Sequence, residues 1–181
     1  MSIDKKEEIA AIDKASKIKE MNEISEEIFR LLDQLIEYYK IKMDENQEFK
    51  ENDIMNGNEQ FKKILNLSVQ IYNIYIINQD KSKFKSIDQS KFVELETDFQ
   101  KECNEQFENI SKHNPKKDKC NKMKFLTFLL IIMNFPMKMF IKNSNHLKDS
   151  KEKLIIEGLI EKWTKKINSV LKIIDHSLFV Q

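Results

Sequence analysis

Apolar residues recur at helical spacing through most of this chain, and one segment, residues 123–142, is apolar on every side. A helix without a polar face has to be surrounded by protein or by lipid. Its cleanest apolar run, 125–133, is shorter than the roughly 20 residues that a membrane span needs. Lys138 would also be costly near the middle of a span. We therefore predict a buried core helix, with a tilted membrane span over 125–141 as the alternative.

Pro136 lies inside this apolar helix and has no N–H to offer the carbonyl of Ile132, so we predict a kink there. Three methionines, Met133, Met137 and Met139, surround the break. Flexible thioethers fill irregular gaps in a core, and they also line adaptable binding grooves. We favour gap filling, and we keep the three methionines as candidate protein-interaction residues.

The other apolar stripes predict amphipathic helices that pack around the apolar one. Steps of three and four residues mark a first stripe from Met21 to Tyr39 and a last stripe from Ile156 to Ile174. With short connections between helices, neighbours run antiparallel. The sequence predicts an all-α fold, an up-and-down bundle of four to five helices near 21–43, 59–79, 87–111, 121–142 and 150–177.

Local signals set the predicted helix ends. Asn56-Gly57 predicts a turn, after which Asn58 caps the second helix. Residues 86–89 predict a capping box that begins at Ser86. The segment 67–77 is rich in β-branched residues and tyrosine, which favours a strand, but no second strand-like segment exists to pair with it. We therefore predict a helix there.

The N-terminal segment differs from the rest because its apolar stripe is thin. Ile9, Ile12 and Ile18 are its spaced apolar residues among many charges. Such a face is too small to fold alone, so it is expected to become ordered on a partner. We predict a helical arm over 1–20 joined to a single bundle domain over 21–181, with these isoleucines as candidate protein-interaction residues.

The composition of the chain argues against several kinds of catalytic and ligand-binding site. The chain has 2 glycines and 2 prolines among 181 residues, too few for glycine-rich phosphate loops or a turn-rich β fold. A zinc site from Cys103, His113, Cys120 and His146 lacks the usual closely spaced cysteine pair. The thiol of Cys120 lies among lysines, but no base stands at a recognisable spacing. We predict no catalytic, cofactor or metal residue, and we do not expect an enzyme.

Charge is distributed unevenly along the chain. Residues 1–110 carry 16 Lys and Arg against 24 Asp and Glu, and residues 111–181 carry 15 against 6, for a total of +1. We expect the two halves to compensate each other within one fold. The segment 112–124 carries the densest positive charge, six lysines that are candidate phosphate-binding residues: Lys112, Lys116, Lys117, Lys119, Lys122 and Lys124.

These observations leave two functional hypotheses. We expect a non-catalytic helical scaffold or adaptor subunit of a larger protein complex, without cofactors or a small-molecule substrate. The alternative is a nucleic-acid-associated subunit that contacts phosphates through 112–124, although no arginine or aromatic residue in that segment reads bases. Two unpaired cysteines and no apolar leader favour an intracellular location, cytoplasmic or nuclear, and we do not expect a membrane role.

Overall fold

The computed structural model describes residues 3–77, 85–114, 116–144 and 151–179, with all side chains in those ranges except 142–144 and 174–179. These residues form five helices and no strand, so the predicted all-α class is confirmed. The helices are α1 (Ile3–Asp44), α2 (Glu51–Ile76), α3 (Gln89–His113), α4 (Lys117–Ser144) and α5 (Lys151–Phe179).

Helix α1 joins the predicted arm and the predicted first helix without a break. Its stripe from Met21 to Met43 is buried, whereas every residue from Ile3 to Ser16 is exposed. The change occurs at residues 17–20, where the stripe begins to reach the other helices. The arm is therefore an extension of a packed helix.

Helix α2 begins eight residues before the predicted position 59. The backbone N–H of Lys50 donates to the Asp53 carboxylate at 2.8 Å, which stabilises the first turn. The predicted turn at Asn56-Gly57 is wrong, and Asn58 lies within the helix and is not its cap. Gly57 serves packing instead, because a Cβ at this position would overlap the ring of Phe128.

Helix α3 starts at a different cap from the predicted one. Asp88 is the N-cap, and its side chain accepts from the N–H of Lys91 at 2.9 Å. The predicted capping box at Ser86 is therefore wrong. Just before this cap, the side-chain amide of Asn73 donates to the Ile87 carbonyl and accepts from its N–H, at 3.1 and 2.9 Å. The segment 67–77 is helical up to Ile76, as predicted. Because Asn73 lies in this segment, its two hydrogen bonds to Ile87 connect α2 to the start of α3.

Helix α4 contacts each of the other four helices. Aromatic rings gather around its first half, with Phe128 near the centre. The centroid of the Phe128 ring lies 5.4 to 6.2 Å from four other aromatic centroids, those of Tyr39, Phe49, Phe99 and Phe107. Phe49 belongs to the connection between α1 and α2, a segment that is otherwise polar and net acidic. That connection therefore closes one end of the core.

Helices α1 and α5 run in the same direction. Lys14 of α1 faces Glu152 at the start of α5, and Asp33, further along α1, pairs with Lys166, further along α5. Helices α2 and α3 run in opposite directions, since Phe61 stacks on Phe99 with centroids 3.6 Å apart and Asn73 bonds Ile87. The predicted last stripe is also largely buried, at Ile156, Trp163, Ile167 and Val170. Its final residue, Ile174, lies outside the described side chains.

Candidate interaction surfaces

The arm of α1 presents two of its three predicted interaction residues to solvent. Ile9 is 56% exposed and Ile12 is 64% exposed, and residues three apart share a face of a helix. Ile18 is half-buried and lies where the helix meets the bundle. Ile9 and Ile12 therefore form an accessible apolar pair on one face of the arm.

A charged contact links the arm to α5. The Lys14 ammonium lies 3.9 Å from the Glu152 carboxylate, which is nearly buried. Burial, together with the negative charge of Glu152, raises the pKa of Tyr75 to about 12. The Tyr75 hydroxyl is buried and has no hydrogen-bond partner among the described residues. Both polar groups belong to the junction of α2 and α5, which lies beside the point where the arm leaves the bundle.

The predicted methionine cluster lies on the inner side of α4. Met133 is fully buried, Met137 is 8% exposed and Met139 is half-buried. The Thr164 hydroxyl of α5 donates to the Met137 sulfur at 3.7 Å. The structure thus places Met133 and Met137 within the core packing, on a different element from the arm isoleucines.

The six predicted phosphate-binding lysines lie at one end of the bundle. Lys112 is in the last turn of α3, Lys116 precedes α4, and Lys117, Lys119, Lys122 and Lys124 are in the first turns of α4. Two of the six form ion pairs with described carboxylates, Lys112 with Glu108 at 3.3 Å and Lys117 with Glu48 at 3.8 Å.

An acidic connection lies beside this basic end. The segment 44–50 carries Asp44, Glu45 and Glu48, and the N–H of Phe49 within it donates to the Asn121 side chain at 3.2 Å. Lys117–Glu48 and Lys166–Asp33 each join a basic residue of the second half of the chain to an acidic residue of the first. Such ion pairs are expected if the basic second half of the chain compensates the acidic first half within one fold.

The thiols and imidazoles do not come together in the described part of the chain. Cys103 is buried, and burial raises the pKa of its thiol to about 12, so it is a poor nucleophile. Cys120 is half-buried in the first turn of α4, and neither cysteine forms a disulfide. His113 is exposed, while His146 and the side chain of His176 lie outside the description. No group of three or more metal-ligating side chains occurs among the described residues.

By length and composition, one helix in the described ranges could cross a membrane, Lys117–Ile141, and 56% of its most apolar window is buried inside the protein.

Comparison with known proteins gives no relative from which a role could be transferred. No family model matches the chain, and no curated protein and no solved structure is significantly similar to it.

Proposed function

We propose that this chain is a non-catalytic scaffold or adaptor subunit of an intracellular protein complex, and that the arm of α1 is a contact to a partner. The observation that carries the proposal is the pair Ile9 and Ile12, exposed on a helix that continues directly into the packed part of α1. Two isolated isoleucines on a surface would need no explanation. Here they lie on a preformed helix, and both are more than half exposed, so less entropy is lost on docking than when a disordered segment folds.

The arm test uses the double variant Ile9→Glu, Ile12→Glu. We expect its melting temperature to stay within about 2 °C of the parent, because surface substitutions rarely exceed about 0.5 kcal/mol. Association with co-purifying chains, identified by affinity purification from native cells, should be lost. Val93→Glu on α3 is the matched control, since Val93 is also about half exposed, at 51%.

Removal of residues 1–16 provides a second test of the same proposal. Residues 3–16 are all exposed, so the truncated chain should unfold at nearly the parent urea concentration. Failure of the truncated chain to fold, or unchanged association of the double variant, would contradict the arm as a docking element.

The finer architecture belongs to the same proposal: an up-and-down bundle whose central helix bends at Pro136. Proline removes one backbone hydrogen bond and crowds the preceding turn, which is the usual cause of a sharp helix kink. The Asn134 side chain donates to the Leu130 carbonyl at 2.9 Å, a local bond of the kind that accompanies bent helices. A crystal structure that gives the angle between the two halves of α4 tests this, and a straight axis would contradict it.

The alternative function is phosphate contact through the basic end of the bundle. Its support is that Lys116, Lys119, Lys122 and Lys124 have no ion pair with a described carboxylate, so their charge is available to a partner. Against it stands the acidic connection 44–50, which lies next to them and repels phosphates.

A titration with a fluorescent single-stranded RNA at 50 and 200 mM salt tests the alternative. If four lysines contact phosphates, affinity should fall by about 30-fold or more between the two conditions. The variant Lys119→Ala, Lys122→Ala should weaken binding and flatten the salt dependence, while Lys62→Ala, Lys63→Ala on α2 should not. Affinity that does not change with salt, or absence of binding, removes this alternative.

A further inference from the structure

Helices α1 and α5 enclose an open groove on the outside of the bundle. Its volume is about 520 Å³. The apolar lining is Phe29 of α1 with Leu154, Ile155 and Leu159 of α5. Phe29 and Leu159 are nearly buried and form the floor, whereas Leu154 at the edge is 67% exposed. We call this feature the α1–α5 groove.

Gly158 keeps the groove open. A glycine inside a helix can allow another helix to pack closely, but a Cβ at Gly158 would meet nothing within 4 Å. A glycine inside an exposed helix costs about 1 kcal/mol relative to alanine. No tight packing against the described residues explains the cost, and a longer side chain at 158 would extend into the groove.

The two rims of the groove carry opposite charges. Glu26 lines the α1 side, and Glu23, one turn before it, is also exposed. Lys162 lines the α5 side, with its ammonium 4.5 Å from the centroid of the Phe29 ring. An apolar floor between polar rims is the anatomy of a protein-protein contact.

The groove also has the length of a helix-binding site. Two ion pairs connect α1 and α5, Lys14–Glu152 before the groove residues and Lys166–Asp33 after them. The residues that line the groove on α5 run from Leu154 to Lys162, which is roughly 12 Å at 1.5 Å per residue. This length accommodates about two turns of a third helix laid along the pair, enough for a stripe from i to i+7.

We propose that the α1–α5 groove binds one amphipathic α-helix of a partner protein. The apolar stripe of that helix, at i, i+3, i+4 and i+7, packs on Leu154 and Ile155, above the nearly buried floor of Phe29 and Leu159. One flank of the helix is basic and lies against Glu26, and the other is acidic and lies against Lys162. The inference rests on the proposed adaptor function and adds to it a second contact, with a partner of defined chemistry.

The probe is a designed 18-residue helical peptide without tryptophan, with a leucine stripe, lysines on one flank and glutamates on the other. Two control peptides keep the stripe and carry only lysine or only glutamate on both flanks. Trp163 is the only tryptophan of the chain, and its ring centroid lies 6.3 Å from that of Phe29, so its fluorescence reports occupancy of the floor. The mixed-flank peptide should bind saturably, about fivefold tighter than either control.

The decisive variant is Gly158→Leu, tested in the full chain. Leucine is a better helix former than glycine, so the melting temperature should be unchanged or higher. Its side chain fills the groove, so affinity for the mixed-flank peptide should fall at least about tenfold. Asn168→Leu places the same side chain at an exposed position of α5 outside the groove and should bind as the parent does.

Three outcomes would overturn the proposal: no saturable binding of the mixed-flank peptide, equal binding of all three peptides, or parent-like binding by Gly158→Leu. The adaptor function fails separately, through the Ile9 and Ile12 variant. If that variant loses its partners while the peptide tests fail, the arm contact stands and the groove contact does not.

Discussion

Replacing Phe128 with alanine is expected to lower the free energy of unfolding by about 3–5 kcal/mol. Phe128 is fully buried on α4, and its ring contacts aromatic side chains from α1, α3 and the α1–α2 connection. The substitution leaves a cavity whose lining residues come from several different elements. Because these elements are fixed by their other contacts with α4, we expect them not to close the cavity. Urea denaturation followed by circular dichroism measures the loss.

Phe92→Ala on α3 is the control for this prediction. Phe92 is only half-buried, so the same change removes less apolar contact and should cost less than half as much. Equal losses at the two positions would mean that the aromatic cluster around Phe128 does not form the centre of the core.

Alanine at Gly57 is expected to destabilise the protein, although alanine is the better helix former by about 1 kcal/mol. The added methyl group would overlap the ring of Phe128 and the hydroxyl of Tyr39. The Tyr39 hydroxyl is itself fixed, since it is buried and donates to the Asp53 carbonyl at 3.4 Å. Overpacking of this kind costs about 1–3 kcal/mol, occasionally more, so a net loss should appear in urea denaturation.

Two comparisons isolate the cause of that loss. Gly158→Ala makes the same change where there is open space, and it should raise stability by up to about 1 kcal/mol. In the double variant Gly57→Ala, Phe128→Ala the overlapping ring is gone, so the combined loss should be smaller than the sum of the two single losses. Strict additivity would show that Phe128 does not restrict residue 57.

The buried faces of the helices could be predicted because periodicity is a direct consequence of burial. The stripe from Met21 to Tyr39 is buried, and so are most positions of the last stripe. Within the last stripe, the periodicity assigned Ile160 to the core, but Ile160 is half-buried and its neighbour Leu159 is buried, at 2% exposure. Positions 159 and 160 fit the helical period almost equally well, so the placement of the neighbouring helices decides which of the two is buried.

The wrong helix ends have a common cause, the use of local signals where tertiary contacts decide. Asn-Gly is a strong turn signal, but Gly57 is needed inside α2 where the backbone approaches Tyr39 and Phe128. Phe49 shows the same limitation, since a lone aromatic residue in an acidic segment has no periodicity. Its packing against Phe107 and Phe125 depends on which helix ends meet in three dimensions.

The exposure of Ile9 and Ile12 on the arm could be predicted from the sequence, whereas the groove could not. Ile9 and Ile12 stand out in the sequence because their stripe is too thin to pack. The α1–α5 groove combines residues of two helices more than 120 positions apart, Phe29 and Leu159 for example, and no spacing links them. Gly158 is a local sign at most, because a glycine inside a helix fits a close helix crossing as readily as an open groove.

The continuity of α1 has a mechanical consequence. The exposed part of the helix extends roughly 20 Å beyond its last packed turn, and it is joined to the core without a hinge residue. A force applied near Ile3 is therefore transmitted along the helix to the turn at Met21, with the exposed part acting as a lever arm. Amide hydrogen exchange should be fast near Ile3 and should become progressively slower toward Met21. Unfolding of the exposed turns should leave the exchange rates of the core unchanged until the turn at Met21 opens.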